Sequence, residues 1–353
     1  MQIYKFTAFP DSENQRNNLQ EILDKASCLP EYSYAHVKLS RGVYSGQFFF
    51  DGNKNYPGKR GVSLVVEGCG IGKTVISGSL AASEILEDGI KRGTFRTYTA
   101  FFSGPRVELR KLTIENTSGL PPPEGIGEKA MQGIALYAAA EQFYCKKIEL
   151  SGHQDTLFLA PLPAAEREKG GFRGPGEFAL RKPTFQFYEK CIVSGTVDFV
   201  FGGAASLFKK CKFIVRKPPT ASGEAKKEKK YYVAAPCADS PFENEANDTS
   251  SGFFFKDCSF SVENCDETDV SVYLARPWRP YGRCFFTGCR IGKGFSPEMW
   301  HIWNNEEDKS TAGFYLCGKN KIAGTDVYDW GTKLSLSEKH DLFKKIEKES
   351  CIF

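Results

Sequence analysis

The sequence predicts an all-β solenoid, a fold in which short strands stack in parallel from one repeat to the next. Three observations indicate it. The chain is rich in glycine and phenylalanine, with 34 and 29 of 353 residues, which favours short strands joined by tight turns. A strand-like pattern recurs, with two of its copies 20 residues apart. Only two segments, one near each end of the chain, have the periodicity of a helix.

The recurring pattern has two apolar residues, two polar residues, an apolar residue or cysteine, a spacer and a further apolar residue. Its copies lie at 144–150, 187–193, 207–213, 254–260 and 285–291, with a weaker one at 109–114. Because one copy cannot bury its own apolar side, repeats of this length stack into a continuous core. Cysteines at the fifth position then form an inward ladder of buried thiols, with disulfides between neighbouring turns as the alternative: Cys191, Cys211, Cys258 and Cys289.

The ends of the chain differ from the repeats. Residues 12–27 predict a short N-terminal helix that Asp11 or Ser12 could cap. Residues 335–349 predict an amphipathic C-terminal helix. We expect residues 1–353 to form a single domain, because the strand pattern runs almost from one helix to the other. Two loops are expected to be inserted in it, at about 160–184 and 216–230.

Composition and charge argue against several classes of function. A net charge of +4 predicts no nucleic-acid partner, and the lysine-rich run at 226–230 is typical of a solvated loop. No stretch approaches the roughly 18 apolar residues of a membrane span, and the first residues do not resemble a signal peptide. The segment GCGIGKT lacks the first glycine of a phosphate-binding loop, since Glu67 takes that place. Neither the four histidines nor the cysteines have the spacing of a zinc site, so no metal or other cofactor is predicted.

Any acid–base chemistry therefore falls to carboxylates. Asp155 and Asp198 each end a strand repeat, and the proline- and glycine-rich insertion between them allows the two to fall on neighbouring turns. Gln132 and Gln154 are 22 residues apart, which is again about one turn. Arg276 is a forked, permanently charged donor that can bind a carboxylate through two hydrogen bonds. Periodicity alone does not prove that these side chains share one face.

An aromatic residue accompanies the arginine. Trp278 lies two residues after Arg276 and can share its face of a strand. A tryptophan beside a carboxylate is suited to stacking on a sugar ring. Taken singly, Arg276 is better explained as a structural salt bridge and Trp278 as core packing, so the functional interpretation depends on the whole set.

Taken together, the motifs resemble those of the pectin methylesterases (pectinesterases), carbohydrate esterases with a right-handed parallel β-helix. The resemblance covers most of the chain in order: SRGVYSGQ, GCGIGKTVISG, FFSGPRVELRKLTIENTSG, MQGIALYAAA, SGHQDTLF, SGTVDFVFGGAASLF and YLARPWRPYGR. The chain departs from the family pattern at Gly203, usually Asn, at Ala275, usually Gly, and at His153, commonly Tyr. The insertion between the two aspartates is also longer than usual, and we expect it to flank the cleft.

The resemblance implies a role for each polar residue. Asp198 is the nucleophile that attacks a methyl ester carbonyl, and Asp155 is the general acid and then the general base. Gln132 and Gln154 donate hydrogen bonds to the developing oxyanion. Arg276 orients Asp198 and keeps it ionised, so we expect the pKa of Asp198 to be lowered by its neighbour and that of Asp155 to be raised by burial.

The resemblance also implies a substrate and a setting. Trp278 and Phe201 form aromatic walls for a polysaccharide. The expected activity is hydrolysis of galacturonate methyl esters in pectin, by a secreted monomer that needs no cofactor. Pectin (methylated homogalacturonan) is the expected partner, and a proteinaceous pectinesterase inhibitor is a further one that the family suggests.

Three alternatives keep the fold and change the function. Two carboxylates could serve a glycosidase, although glycoside cleavage needs no oxyanion hole and the Gln132–Gln154 pair would be unused. A catalytically silent carbohydrate-binding solenoid is a second alternative, against which the intact set of Asp155, Asp198 and Arg276 argues. An esterase for a different ester, such as an acyl thioester, is the third.

Overall fold

The computed structural model describes residues 2–118, 132–182, 184–216, 229–238, 252–263, 270–303, 308–317 and 320–323. Within these ranges the chain forms a parallel β-helix of three sheets, with strands numbered here in chain order. Helical elements are few: α1 (Leu19–Ser27), a 3-10 turn (Thr94–Arg96) and α2 (Asp308–Thr311).

Each turn of the solenoid contributes one strand to each sheet in the central part of the chain. Sheet one, in spatial order, contains β1 (Ile3–Ala8), β2 (Tyr34–Leu39), β5 (Ser63–Glu67), β8 (Arg106–Arg110), β11 (Gln142–Lys146), β14 (Phe185–Glu189), β17 (Ala205–Lys209), β20 (Gly252–Lys256), β23 (Arg283–Thr287) and β25 (Gly313–Cys317). Sheet two contains β3 (Gly42–Ser45), β6 (Thr74–Gly78), β9 (Thr113–Asn116), β12 (Glu149–Ser151), β15 (Ile192–Gly195), β18 (Lys212–Val215), β21 (Ser259–Val262), β24 (Arg290–Ile291) and β26 (Lys321–Ile322). Sheet three contains β4 (Phe48–Asp51), β7 (Ala100–Ser103), β10 (Leu136–Ala138), β13 (Leu157–Leu159), β16 (Val200–Gly202), β19 (Lys229–Pro236) and β22 (Val270–Ala275).

The strand register follows the repeat that the sequence predicts. Tyr188 pairs with Phe208, Phe208 with Phe255, and Phe255 with Phe286. Their rings stack along the axis with centroids 4.7, 5.1 and 4.6 Å apart, close to the spacing of neighbouring strands. These side chains are fully buried and belong to the core that all three sheets enclose. The predicted all-β, stacked parallel fold is confirmed.

A single residue in the left-handed conformation turns the chain from sheet one to sheet two. The φ angles at this position lie between 53° and 63° in six successive turns: Lys111, Lys147, Lys190, Lys210, Asp257 and Gly288. The next residue points into the core and is often cysteine. The thiol of Cys211 donates to the carbonyl oxygen of Tyr188 at 3.3 Å, and that of Cys258 to Phe208 at 3.3 Å. The four cysteines of the ladder are buried and free, which agrees with the predicted ladder of buried thiols rather than with the disulfide alternative.

Two predicted boundaries are wrong, and one prediction falls outside the described residues. Helix α1 begins at Leu19 rather than residue 12, because Asp11 does not cap it. The Asp11 carboxylate instead accepts hydrogen bonds from the backbone N–H groups of Asn17 and Ser45, and so holds the preceding turn against β3. Strand β19 begins at Lys229, so the last two residues of the insertion predicted at about 216–230 lie in a strand. The predicted helix at 335–349 lies outside the described residues.

Apolar side chains also cover the outer face of sheet three. This outer cluster is separate from the central core and includes Phe95, Phe101, Tyr137, Phe158, Leu162, Phe172 and Phe201. Two connections supply its cover, the segment before β7 and the insertion between β13 and β14. No helix in the described part of the chain is long and apolar enough to cross a membrane.

The left-handed turn gives a stability prediction. Lys210 is exposed and has a φ of 56°, which a β-branched side chain tolerates poorly. We expect Lys210→Val to lower the free energy of unfolding by roughly 1–2 kcal/mol, and Lys210→Gly to leave it within about 0.5 kcal/mol of the wild type. Urea unfolding followed by circular dichroism measures both. Equal losses in the two variants would contradict the assignment of backbone strain to this position.

Candidate active site

Asp155 and Asp198 occupy the same position in two successive turns of the solenoid. Each lies two residues before a strand of sheet three, and these strands pair Leu157 with Val200. The backbone N–H of Asp155 donates to the carbonyl oxygen of Val197 at 3.0 Å, which joins the two segments directly. Both aspartates are left-handed, with φ angles of 63° and 50°, a region that aspartate enters more readily than most residues. Strand stacking therefore delivers both carboxyl groups to one place.

The two glutamines also lie on neighbouring turns. Gln132 and Gln154 form a parallel bridge, and the N–H of Gly133 donates to the carbonyl oxygen of Gln154 at 3.0 Å. All seven predicted site residues line one cleft of about 400 Å³: Gln132, Gln154, Asp155, Asp198, Phe201, Arg276 and Trp278. The structure thus brings the whole predicted set together, while the role of each residue stays a prediction.

Arg276 binds the carboxylate of Asp198 through two parallel hydrogen bonds. Its Nε donates to Oδ1 at 2.9 Å and its Nη2 to Oδ2 at 2.5 Å. The side chains of the arginine and the aspartate are only 15% and 4% exposed. Arg276 follows β22, two strands away from β16, so its side chain spans the intervening strand, where Ala235 lines the cleft with a small side chain. A forked pair of this kind fixes the orientation of the carboxylate as well as its charge.

Two aromatic rings enclose the guanidinium of Arg276. The central carbon of the guanidinium lies 3.9 Å from the ring centroid of Tyr232 and 3.8 Å from that of Trp303. Ring faces attract a cation, and the attraction increases when water is excluded. The two rings therefore stabilise the charge of Arg276 and restrict the side chain to the conformation that reaches Asp198.

The two carboxyl groups differ in their affinity for a proton. Burial raises the pKa of Asp155 well above its ordinary value, and the negative charge of Asp198 raises it further. Burial also raises the pKa of Asp198, but the charge and hydrogen bonds of Arg276 oppose that rise. The expected lowering of the Asp198 pKa is therefore wrong in net direction, because desolvation outweighs the arginine. The order of the two pKa values is still as expected: Asp155 binds its proton more tightly, and Asp198 ionises more readily.

This pair can supply a nucleophile and a proton donor at the same pH. An ionised carboxylate held by an arginine is suited to attack an electrophilic carbon, and a neutral carboxylic acid beside it can protonate a leaving group. Among the described residues there is no group of three or more His, Cys, Asp or Glu side chains placed to hold a metal ion.

Aromatic side chains form one side of the cleft. Trp278 packs edge-on against Phe201, with ring centroids 5.6 Å apart, and both line the cleft. Trp278 also lies 6.3 Å from Phe95, at the edge of the outer cluster. Trp278 and Phe201 are therefore packed residues that also present surface to the cleft, so the sequence-based alternatives of core packing and ligand contact both apply.

The insertion between β13 and β14 forms another wall. Arg167, Glu168, Gly171 and Phe172 all line the cleft, which agrees with the expectation that the insertion flanks it. Gly203 stands beside the start of this insertion. A Cβ atom at Gly203 would lie 2.8 Å from the carbonyl oxygen of Pro161, so the asparagine usual in the resembled motif would not fit here.

Comparisons of sequence and fold with known proteins point to one family. Residues 180–339 match the family model described as Pectinesterase. The chain is 28% identical over 295 residues to Probable pectinesterase/pectinesterase inhibitor 64 of Arabidopsis thaliana, an alignment that covers 82% of this chain and 41% of that protein. It is 28% identical over 272 residues to Pectinesterase of Petunia integrifolia, covering 74% and 58%. The chain is a relative of the pectinesterases.

The predicted resemblance to the pectinesterases is confirmed, and the fold agrees. Pectin methylesterase from carrot superposes with a TM-score of 0.70 at 20% identity, covering 95% of this chain and 89% of that one. Pectin methylesterase PemA from Erwinia chrysanthemi superposes with a TM-score of 0.67 at 20% identity, covering 96% and 94%. At such identity these structures establish the fold alone. The chain spans about half the length of the curated relatives it matches.

Sequence reasoning missed four aromatic residues of the site. Tyr232 and Trp303 enclose Arg276, and Phe95 and Phe172 close the cleft on one side. None lies in a motif that resembles the pectinesterase family. The position of Tyr232 could have been predicted, because YYVAAP has the pattern of a strand and β19 belongs to the same sheet as β16 and β22. The other three come from connections, whose packing the repeat pattern does not predict.

The raised pKa of Asp155 gives a pH prediction. The folded protein keeps a proton that the unfolded chain releases near its ordinary carboxyl pKa of about 3.9, so this group lowers stability progressively as the pH rises from that value through the folded pKa. Asp155→Asn removes the effect and retains a residue type that tolerates the backbone conformation.

The thermal midpoint is therefore expected to fall less with pH in Asp155→Asn than in the wild type, between about pH 4 and about pH 7. Scanning calorimetry across that range measures it. Asp257→Asn is the control, since Asp257 is exposed and has a similar φ of 54°. Parallel pH curves for Asp155→Asn and the wild type would contradict the protonated assignment.

Proposed function

We propose that the chain hydrolyses methyl esters of galacturonate residues in pectin, releasing methanol and leaving de-esterified pectate. The observation that carries the proposal is the bidentate contact of Arg276 with Asp198, one turn away from a buried Asp155. The relatives named as pectinesterases support it. A structure described as pectin methylesterase in complex with hexasaccharide VII, with a TM-score of 0.64 and 21% identity, shares the fold.

The proposed reaction has two halves. The carboxylate of Asp198 attacks the ester carbonyl carbon, and the amide groups of Gln132 and Gln154 donate to the oxyanion that forms. As the bond to the methoxy group breaks, Asp155 gives its proton to that oxygen, and methanol leaves. The product of this half is an anhydride that joins Asp198 to the galacturonate carboxyl carbon.

The second half uses the same groups in reverse. Asp155, now a carboxylate, takes a proton from a water molecule as the water attacks the anhydride. The anhydride bond to Asp198 breaks and Asp155 is again protonated, while the galacturonic acid that forms loses its remaining proton to bulk water and leaves as the carboxylate. Arg276 stabilises Asp198 as a leaving carboxylate just as it does when Asp198 is the nucleophile.

The surroundings of the cleft fit a sugar ester. Trp278 and Phe201 offer aromatic surface beside the two carboxyl groups, and the net charge of +4 does not repel an acidic polymer. The proposal includes a secreted location, where pectin is found, and a proteinaceous pectinesterase inhibitor as a partner. Several relatives carry the words pectinesterase inhibitor in their names.

Methanol and reducing ends distinguish the proposal from its alternatives. Incubation with highly methylated pectin is expected to release methanol without new reducing ends. New reducing ends without methanol would instead indicate a glycosidase. If neither methanol nor new reducing ends appear, the remaining alternatives are a binding protein and an esterase for a different ester.

The nucleophile has its own test. Asp198→Asn is expected to lower the rate of methanol release by roughly 10³-fold or more, because an amide cannot form the anhydride. Asp257→Asn, the exposed left-handed aspartate, is expected to retain full activity. Survival of activity in Asp198→Asn, with the fold intact by circular dichroism, would show that a different group attacks the ester.

The ring of Tyr232 is expected to matter more than its hydroxyl group. Tyr232→Phe keeps the face that contacts Arg276, whereas Tyr232→Leu removes it. We expect Tyr232→Leu to lower kcat by about tenfold and to shift the acidic limb of the pH–rate profile upward, because a less well held Arg276 opposes the rise of the Asp198 pKa less. Tyr232→Phe loses only the contacts of the hydroxyl group with His301 and Arg276, so it should stay closer to the wild type in both. Equal effects of the two changes would exclude the positioning role.

A further inference from the structure

The floor of the cleft runs across the strands of sheet three, and therefore along the axis of the solenoid. Successive strands contribute Asp155 before β13, Phe201 in β16, Ala235 in β19 and Arg276 after β22. A linear polymer bound along this floor would thus lie across several turns. The residues at each end of the cleft therefore determine how far such a polymer can extend.

The same floor continues toward the N-terminal turns as a column of aromatic side chains. Phe201 pairs with Phe158, Phe158 with Tyr137, and Tyr137 with Phe101. Yet Phe158, Tyr137 and Phe101 are 0%, 1% and 4% exposed. The column is therefore covered, and no ligand can reach it in this conformation.

Phe95 and Phe172 provide the cover. Phe95 lies 5.0 Å from Phe158 and 6.3 Å from Tyr137, measured between ring centroids. Phe172, from the insertion, meets Phe95 edge-on at 5.8 Å. Both rings also line the cleft, so they stand between its open part and the covered column.

The insertion that carries Phe172 is held in place by many contacts. The guanidinium of Arg181 donates to four backbone carbonyl groups of the insertion, at 2.6 to 3.1 Å: those of Pro163, Gly176, Glu177 and Ala179. Nη2 of Arg279, in the segment that follows Trp278, donates to the carbonyl oxygen of Ala165 at 3.1 Å. The insertion is therefore held together by Arg181 and joined to the segment that follows Trp278.

We propose that Phe95 and Phe172 form an end wall that restricts the cleft to short galacturonans and to esters near one end of a longer chain. The inference rests on the proposed function and specifies its substrate. A volume of about 400 Å³ agrees with it, since pockets that enclose small ligands measure roughly 300–1,000 Å³. A sugar chain that continued past the wall would have to displace both rings.

The first test compares substrates of different length at equal ester concentration. The wild type is expected to release methanol from a methylated trigalacturonide with a kcat/KM at least about tenfold higher, per ester, than from long pectin. Equal values per ester for the trimer and the polymer would overturn the end wall.

Variants then locate the restriction. Phe172→Ala is expected to raise the ratio of kcat/KM on long pectin to kcat/KM on the trimer at least about fivefold. Phe178→Ala is the matched control, since Phe178 belongs to the same insertion and is 90% exposed. In a second variant, a short Gly-Ser linker replaces residues 164–180. It tests the same restriction if Phe172→Ala does not fold. Failure of both folded variants to raise the ratio of kcat/KM on long pectin to that on the trimer would overturn the proposal.

A binding measurement separates this inference from the proposed function. Calorimetry with fully de-esterified trigalacturonate and long polygalacturonate requires no catalysis. The end wall predicts a number of binding sites on the polymer that scales with chain ends, and binding along its whole length after Phe172→Ala. Binding of the wild type along the whole polymer, or to neither ligand, would overturn the inference. Absence of methanol from every substrate would count against the esterase activity alone.

Discussion

The chemistry of the cleft depends on one buried ion pair, that of Arg276 and Asp198. Removal of both charges from water is costly, and only good geometry with further contacts offsets the cost. The bidentate hydrogen bonds supply the geometry, and the rings of Tyr232 and Trp303 supply the further contacts. Burial disfavours a negative charge at Asp155, and the charge at Asp198 disfavours it further, so the pKa of Asp155 is raised and it retains its proton more readily. The proposed division into nucleophile and acid thus follows from the burial of both carboxyl groups and from the arginine that contacts only one of them.

The stacked register is what assembles these groups from distant parts of the sequence. Asp155 and Asp198 are 43 residues apart, yet they lie one turn from each other because the insertion between them leaves the pairing of β13 with β16 undisturbed. Parallel pairing fixes which residues meet, whereas the connections between strands are free to vary in length. In this chain one such connection is long enough to fold over sheet three and determine the shape of the cleft.

The sequence predicted the architecture and the polar residues of the site. It did not predict features that depend on packing between distant segments. The repeat aligned Tyr188 with Phe208 because inward positions must match from turn to turn, and the structure pairs them. The direction of the Asp198 pKa shift was predicted wrongly, because the burial of Asp198 depends on tertiary packing that the repeat pattern does not show. Trp303, Phe95 and Phe172 lie in segments without periodicity, where packing against a distant surface determines position. The start of α1 was misplaced because Asp11 serves a turn instead of a cap.

Asp155 is expected to hold a proton under conditions in which Asp198, beside Arg276, is ionised. Neutron diffraction from a deuterium-exchanged crystal of the unliganded protein at neutral pH measures this directly. We expect density for a deuteron on a carboxyl oxygen of Asp155, none on Asp198, and a fully deuterated guanidinium facing both oxygens of Asp198. Two ionised carboxylates, or a deuteron on Asp198 with none on Asp155, would contradict it.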